Sequence, residues 1–186
     1  MLLFDSKIFD GVQITGGWLR APDRVLDYQG IAYLPTDIGP GFVYIQPSSP
    51  SWSAGYEKQR ESLERLRMRG AITVVLDTLP EDIPAGLAVF ISPDTTLALA
   101  ELATVARNRA QAPLVCVTGS VGKSTTKRGV AALLSRLGAT HESQRNFNHY
   151  QGVLLSLAAI PSGTAYSVLE FSSDLPRFTL PKAMIA

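Results

Sequence analysis

At 186 residues and a formal net charge of +1, the chain has room for one large or two small domains and no charge bias toward nucleic acid or anionic membranes. Hydrophobic residues at 46% and charged residues at 18% are the balance of a globular protein that buries a core, and no apolar run approaches the roughly 20 residues of a membrane span. One cysteine, Cys116, excludes an internal disulfide; the opening Met1 to Asp5 lacks the basic-then-apolar order of a signal peptide, so a cytoplasmic location is the default expectation.

The first forty residues, rich in Gly, Pro and Asp, support no element assignment. Phe42 to Ile45 is β-branched and aromatic and predicts a strand entered from the turn Gly39-Pro40-Gly41. Pro47 to Ser51 reads as a loop. Residues 56–69 are charge-rich with Leu63 and Leu66 three apart, predicting a helix with Gly70 just past its end. Ala71 to Leu76 and Leu87 to Ile91 are the apolar runs of buried parallel strands. Ser92-Pro93-Asp94 supplies a capping hydroxyl, a first-position proline and a first-turn acid for a helix running to about Arg109. That helix presents Leu97, Leu102, Val105 and Ala106 on one side.

Residues 109–113 are the expected domain boundary, separating a domain over 1–110 from one over 111–186. Alternation then restarts: a strand over Leu114 to Val117, and a helix over Ser124 to Leu137. This second helix packs through Val130, Leu133, Leu134 and Leu137 and stops at Gly138. Gly152 to Ile160 reads as helix, Thr164 to Phe171 as strand, and Ala183 to Ala186 as a further apolar strand. The fold class is α/β: a small N-terminal α/β domain, then the first part of a P-loop NTPase-type parallel sheet, with right-handed crossovers expected.

Between the strand at 114–117 and the helix after it stands Thr118-Gly119-Ser120-Val121-Gly122-Lys123-Ser124-Thr125. Glycines at 119 and 122 let the main chain turn tightly and approach phosphate oxygens, and successive N–H groups plus the helix's positive end then face the anion. Lys123 supplies a point charge for β and γ phosphates, and the Ser124 hydroxyl suits Mg²⁺. The ligand expected is a nucleoside triphosphate, ATP. The loop is a compact Gly-x-x-Gly-Lys-Ser: the general pattern has glycine where this chain has Val117.

Val115 to Lys127 resembles the ATP-binding loop of the Mur ligase family, in particular the branch that adds D-alanyl-D-alanine to a UDP-muramoyl tripeptide. Asn146-Phe147-Asn148 continuing through Gly152-Val153 to Leu157 resembles that branch's asparagine-rich segment and following helix. Ser167-Val168-Leu169-Glu170 resembles the strand that ends in the family's magnesium-binding glutamate. Residues 30–110 resemble the family's substrate domain more loosely. The resemblance implies an ATP- and Mg²⁺-dependent ligase joining a small-molecule carboxylate to an amine through an acyl phosphate. It implies catalytic roles for Lys123, Asn148 and Glu170, metal binding by Ser124 and Glu170, and a weaker role for Asn146.

Plain alternatives stand beside these roles. Glu170 could cap a helix, and Asn146 and Asn148 could be turn residues. His141 and His149 read as surface or satisfied histidines, Cys116 as a small core residue, and Asp174 as a loop acid or a metal helper. Where relatives that bind a UDP-sugar carry Asp-Ser-Arg, this chain has Asp37-Ile38-Gly39, and the Asp-Gly-His pattern after Ile45 is missing. Those departures suggest a carboxylate other than the standard peptidoglycan precursor. The family continues past the equivalent of Ala186, so residues 1–186 alone are expected to be inactive. Two other classes remain: a P-loop kinase or GTPase, although the guanine-reading Asn-Lys-x-Asp is absent, and a non-catalytic nucleotide- or partner-binding protein. No stretch indicates an oligomeric state.

Overall fold

The computed structural model describes residues 3–10, 14–47, 62–145 and 147–172, which divide into two compact units, Met1–Glu101 and Leu102–Ala186. In the first unit the strands are β1 (Phe4–Asp5), β2 (Gly17–Arg20), β3 (Asp27–Tyr28), β4 (Gly30–Ala32), β5 (Phe42–Ile45), β6 (Ala71–Leu76) and β7 (Ala88–Ile91). Helix α1 (Leu63–Met68) precedes β6, and α2 (Thr95–Ala110) follows β7 and runs across the unit boundary. β1 and β3 form an antiparallel ribbon. The remaining five make one sheet in the order β2-β7-β6-β5-β4, parallel except for the antiparallel edge strand β2.

Alternation sends the residues of β6 and β7 to two different layers. Tyr44, Val74, Leu76 and Val89 join Leu66 of α1 and Leu87 in one core cluster. Thr73, Val75 and Phe90 lie on the other face. There Phe90 meets Phe9 and Trp18, and Phe9 meets Tyr28, with ring centroids 5.0–6.2 Å apart. The fully buried Tyr28 hydroxyl is satisfied by Thr73 Oγ1 at 2.7 Å, and burial pushes its pKa up.

Among the described residues the first forty thus hold four strands, β1 to β4, where the composition supports no element assignment. The helix expected over 56–69 is described only from Ser62 onward. Its stop is as expected: Gly70 has φ +113°, and a Cβ there would lie 2.7 Å from the Gly39 backbone. The entry to α2 differs. Asp94, not Ser92, is the cap, its Oδ1 accepting from Thr96 and Leu97 N–H at 2.8 and 3.0 Å, while Ser92 donates to the Asp94 carbonyl. Leu97 is exposed, and the buried face is Ala98, Leu99, Leu102, Ala103 and Ala106.

In the second unit β8 (Leu114–Val117), α3 (Lys123–Leu134), β9 (Thr140–Glu142), α4 (Tyr150–Ala158) and β10 (Tyr166–Glu170) build a parallel sheet in the order β8-β10-β9. β9, three residues long, was not expected. α3 is shorter than predicted and packs differently. Lys127 and Ala131 are buried and Val130 and Leu134 half-buried, whereas Leu133 and Leu137 are 70% and 73% exposed. Gly138 is not a left-handed cap. A Cβ there would meet Ala165 Cβ at 2.8 Å, so close approach explains the glycine. Cys116 is exposed, not a core residue: β8 is an edge of this sheet, and Val115 and Val117 take the opposite face against α3. Asp174 and 183–186 lie outside the described residues. No helix among the described residues is long and apolar enough to cross a membrane.

Candidate phosphate and metal site

The site lies where β8 and β10 end side by side, Val117 paired with Glu170. In open α/β sheets this carboxyl end of the strands is where ligands bind. From Val117 the chain bends through Gly119 (φ +146°) and Gly122 (φ +76°) before α3 begins at Lys123. Both torsions are disfavoured for residues with a Cβ, which is why glycine occupies both positions. The first helical bond is Thr126 N–H to the Gly122 carbonyl at 2.9 Å. Among the described residues, the N–H groups of Gly119 to Thr125 donate to no protein acceptor. A run of uncommitted amides at the positive end of a twelve-residue helix is an anion cradle. Lys123 Nζ reaches back over it to the Gly119 carbonyl at 2.8 Å, while Thr118, Ser120, Val121 and Thr125 are exposed around the bend.

Glu170 ends β10 almost fully buried, with its carboxylate held from several sides. Ser124 Oγ donates to Oε2 at 2.7 Å and Asn148 Nδ2 to Oε1 at 2.9 Å. Lys127 Nζ stands 3.9 Å from Oε2. The Glu170 N–H donates to Ser143 Oγ at 3.2 Å, which ties the strand end to the segment after β9. The structure thus brings Ser124, Asn148 and Glu170 together. It gives Glu170 no helix-capping role among these contacts. Asn146 lies outside the described residues.

Asn148 is positioned by its neighbours. Its carbonyl accepts from Ser172 N–H at 2.9 Å, and Phe147 beside it is buried. Gly152 lets α4 approach this segment: a Cβ there would sit 2.9–3.0 Å from Phe147. His149 caps α4, its Nδ1 accepting from Gly152 N–H at 3.2 Å, and burial lowers its pKa. His141 Nε2 meets the Ser156 carbonyl at 2.8 Å, so that nitrogen carries the proton; burial also lowers its pKa.

Two site residues were missed in the sequence, Lys127 and Ser143. The signal for Lys127 was present: it falls one turn before Val130 and Ala131 and two before Leu134, on the stripe α3 packs inward. Ser143 carried no signal, because β9 itself was not legible.

Among the described residues no three His, Cys, Asp or Glu side chains cluster as a metal cage. The pair present is a different donor set. A hydroxyl and a carboxylate oxygen converging at 2.7 Å suit a hard cation that keeps water and phosphate oxygens of its own, as Mg²⁺ does.

The family model for the Mur ligase middle domain matches residues 117–179. Among curated relatives, the UDP-N-acetylmuramoyl-tripeptide–D-alanyl-D-alanine ligase of Escherichia coli K12 is 35% identical over 161 residues, covering 87% of this chain and 33% of that protein. The Synechocystis protein of the same name is 37% identical over 103 residues, covering 55% of this chain and 23% of the relative. The corresponding D-alanyl-D-alanyl ligase structure from Acinetobacter baumannii superposes with a TM-score of 0.65 at 23% identity, over 86% of this chain and 34% of that one. The MurF ligase from Thermotoga maritima, solved in complex with ADP, gives 0.56 at 22% identity, over 79% and 33%. The chain therefore spans about a quarter to a third of the length of these relatives.

Proposed function

We propose that this chain is part of a Mur ligase, and that the protein carrying it is an ATP-dependent ligase that joins D-alanyl-D-alanine to a UDP-muramoyl tripeptide. The observation that carries the reading is the junction of the uncommitted amides at 119–125 with the Ser124–Glu170–Asn148 cluster. In this reading residues 1–110 form the substrate domain and 111–186 the ATP-binding domain, working in the cytoplasm. A P-loop kinase or GTPase does not fit the family match. The expectation of a carboxylate other than the standard precursor finds no support. The relatives described above are named for that precursor's ligase, and against them stand only the Asp37-Ile38-Gly39 departure and the missing Asp-Gly-His after Ile45.

The chemistry follows from the residues. Thr118 to Thr125 wrap the β and γ phosphates with main-chain N–H groups, fixed before the reaction so that little reorganisation is needed. Lys123 leaves the Gly119 carbonyl for the γ-phosphate and offsets charge gathering on its oxygens during transfer to the substrate carboxylate. Ser124 and Glu170 would hold Mg²⁺, which when bound neutralises phosphate oxygens. Asn148, on the far side of Glu170, has its amide near the transferring group and orients the acyl phosphate that the amine then attacks.

The test is phosphate release from ATP by the protein, with UDP-muramoyl tripeptide and D-alanyl-D-alanine added separately and together. Release that requires both is the expected result. Nucleotide binding without turnover would favour the non-catalytic reading instead. Lys123→Ala should lower kcat/KM by about 100-fold or more, the scale of losing one charge-stabilising donor. Unchanged turnover would reject the site.

A further inference from the structure

Lys127 is 2% exposed, in a helix whose neighbouring turns hold alanine, valine and leucine. An ammonium group is expensive to bury unless its donors are used. Two of its three N–H donors are used: Nζ donates to the carbonyls of Ser143 and Arg145, both at 2.6 Å. The remaining side faces Glu170 Oε2 at 3.9 Å, beyond hydrogen-bond reach but close enough for attraction between charges. One side chain of α3 therefore touches three points of a single assembly. They are the Ser143 backbone, whose hydroxyl accepts from Glu170 N–H, the left-handed Arg145 (φ +49°), and the carboxylate at the end of β10.

Asn148 lies three residues beyond Arg145, and its carbonyl is tied to Ser172 just past Glu170. Holding the 143–145 carbonyls against α3 thus sets where the asparagine and the glutamate meet Ser124, itself one turn back on α3. We infer that Lys127 is a positioning residue for the nucleotide–metal site, clamping the Ser143–Arg145 turn to α3 so that Asn148, Glu170 and Ser124 converge. The reaction it serves rests on the ligase reading given above; the clamp itself does not.

A clamp and a mere counter-charge predict opposite signs. If Lys127 acted only as a cation beside Glu170, removing it would relieve repulsion and strengthen divalent binding. If it positions the ligands, removing it weakens the contribution of Mg²⁺ and loosens the strand end. The experiment uses wild type, Lys127→Met and Lys127→Gln, the glutamine variant keeping two N–H donors without charge and serving where the methionine variant does not fold. Fluorescent N-methylanthraniloyl-ADP is titrated with and without Mg²⁺, and amide exchange is followed at Glu170 and Ser172.

Without Mg²⁺ the variants should bind within about threefold of wild type, since the 118–125 loop is untouched. They should lose about 10- to 100-fold of the affinity that Mg²⁺ adds, the scale seen when a group that orients a metal ligand is removed. The Glu170 and Ser172 amides should exchange at least about tenfold faster. Equal or tighter Mg²⁺-dependent binding with unchanged exchange would overturn the inference. If wild type fails to ligate D-alanyl-D-alanine, the ligase reading falls while these two measurements still judge Lys127; if it binds no nucleotide, the exchange rates decide.

Discussion

A histidine that donates one ring nitrogen to a carbonyl inside a protein has only the other left to take up a proton. His141 is in that position, with Nε2 committed to the Ser156 carbonyl on α4 and burial holding its pKa below the ordinary 6.5. The folded protein therefore binds this proton less readily than the unfolded chain. Stability rises with pH wherever the unfolded state holds more protons. The contribution of His141 is complete above about pH 6.5 and is lost as pH falls through the interval down to its folded value. His149, depressed by burial at the cap of α4, adds to the loss with the same sign. The urea midpoint should accordingly drop between pH 7.5 and pH 5.5. His141→Gln, which retains an N–H for the Ser156 carbonyl, should show a shallower drop. An identical slope in the variant would reject His141 as a source of the pH dependence.

At the scale of elements, legibility followed length and local chemistry. β6 and β7 are apolar runs long enough to read, and the phosphate bend is a local motif whose torsions demand glycine at 119 and 122. β1, β3, β4 and β9 have two or three residues each, too few for alternation to appear. The cap of α2 was misplaced because Ser92 and Asp94 both satisfy the local rule, and only the bonds to Thr96 and Leu97 decide between them. The face of α3 was rotated for a chemical reason. Counting only apolar residues favours Leu133 and Leu137, whereas the inward stripe includes a lysine that pairs with a glutamate on a distant strand. Periodicity places Lys127 on the stripe with Val130 and Ala131, but the glutamate that makes a buried lysine tolerable there is a tertiary partner that local sequence does not show.

Gly70 is a case where local reading and tertiary packing agree. It ends the turn after α1 at φ +113° and passes within reach of the Gly39 backbone, while its carbonyl accepts from Gly41 N–H at 2.9 Å. Gly70→Ala meets both a disfavoured torsion and an overlap with main chain that cannot swing aside. A loss of more than about 1 kcal/mol in urea denaturation is expected. An unchanged midpoint would mean that the turn has another conformation available.

Among the described residues the two units have separate strand sets, a five-stranded sheet and a two-stranded ribbon in the first and three parallel strands in the second. Trp18 belongs to the first unit, so in a Trp52→Phe background tryptophan fluorescence reports that unit. Trp18 is a suitable probe, packed on Phe9 and Phe90 with its indole N–H on Asp10 at 2.8 Å. Far-ultraviolet circular dichroism reports α3 and α4 as well. Nucleotide bound by the 118–125 loop stabilises only the folded form of the unit that contains it. At about 100 times its dissociation constant, Mg-ADP adds about 2.7 kcal/mol to that unit. In urea the dichroism transition should therefore move to higher denaturant and separate from the fluorescence transition, which should stay in place. If both probes shift together by the same amount, α2, which crosses the boundary, transmits the stabilisation and the 186 residues unfold as one cooperative body.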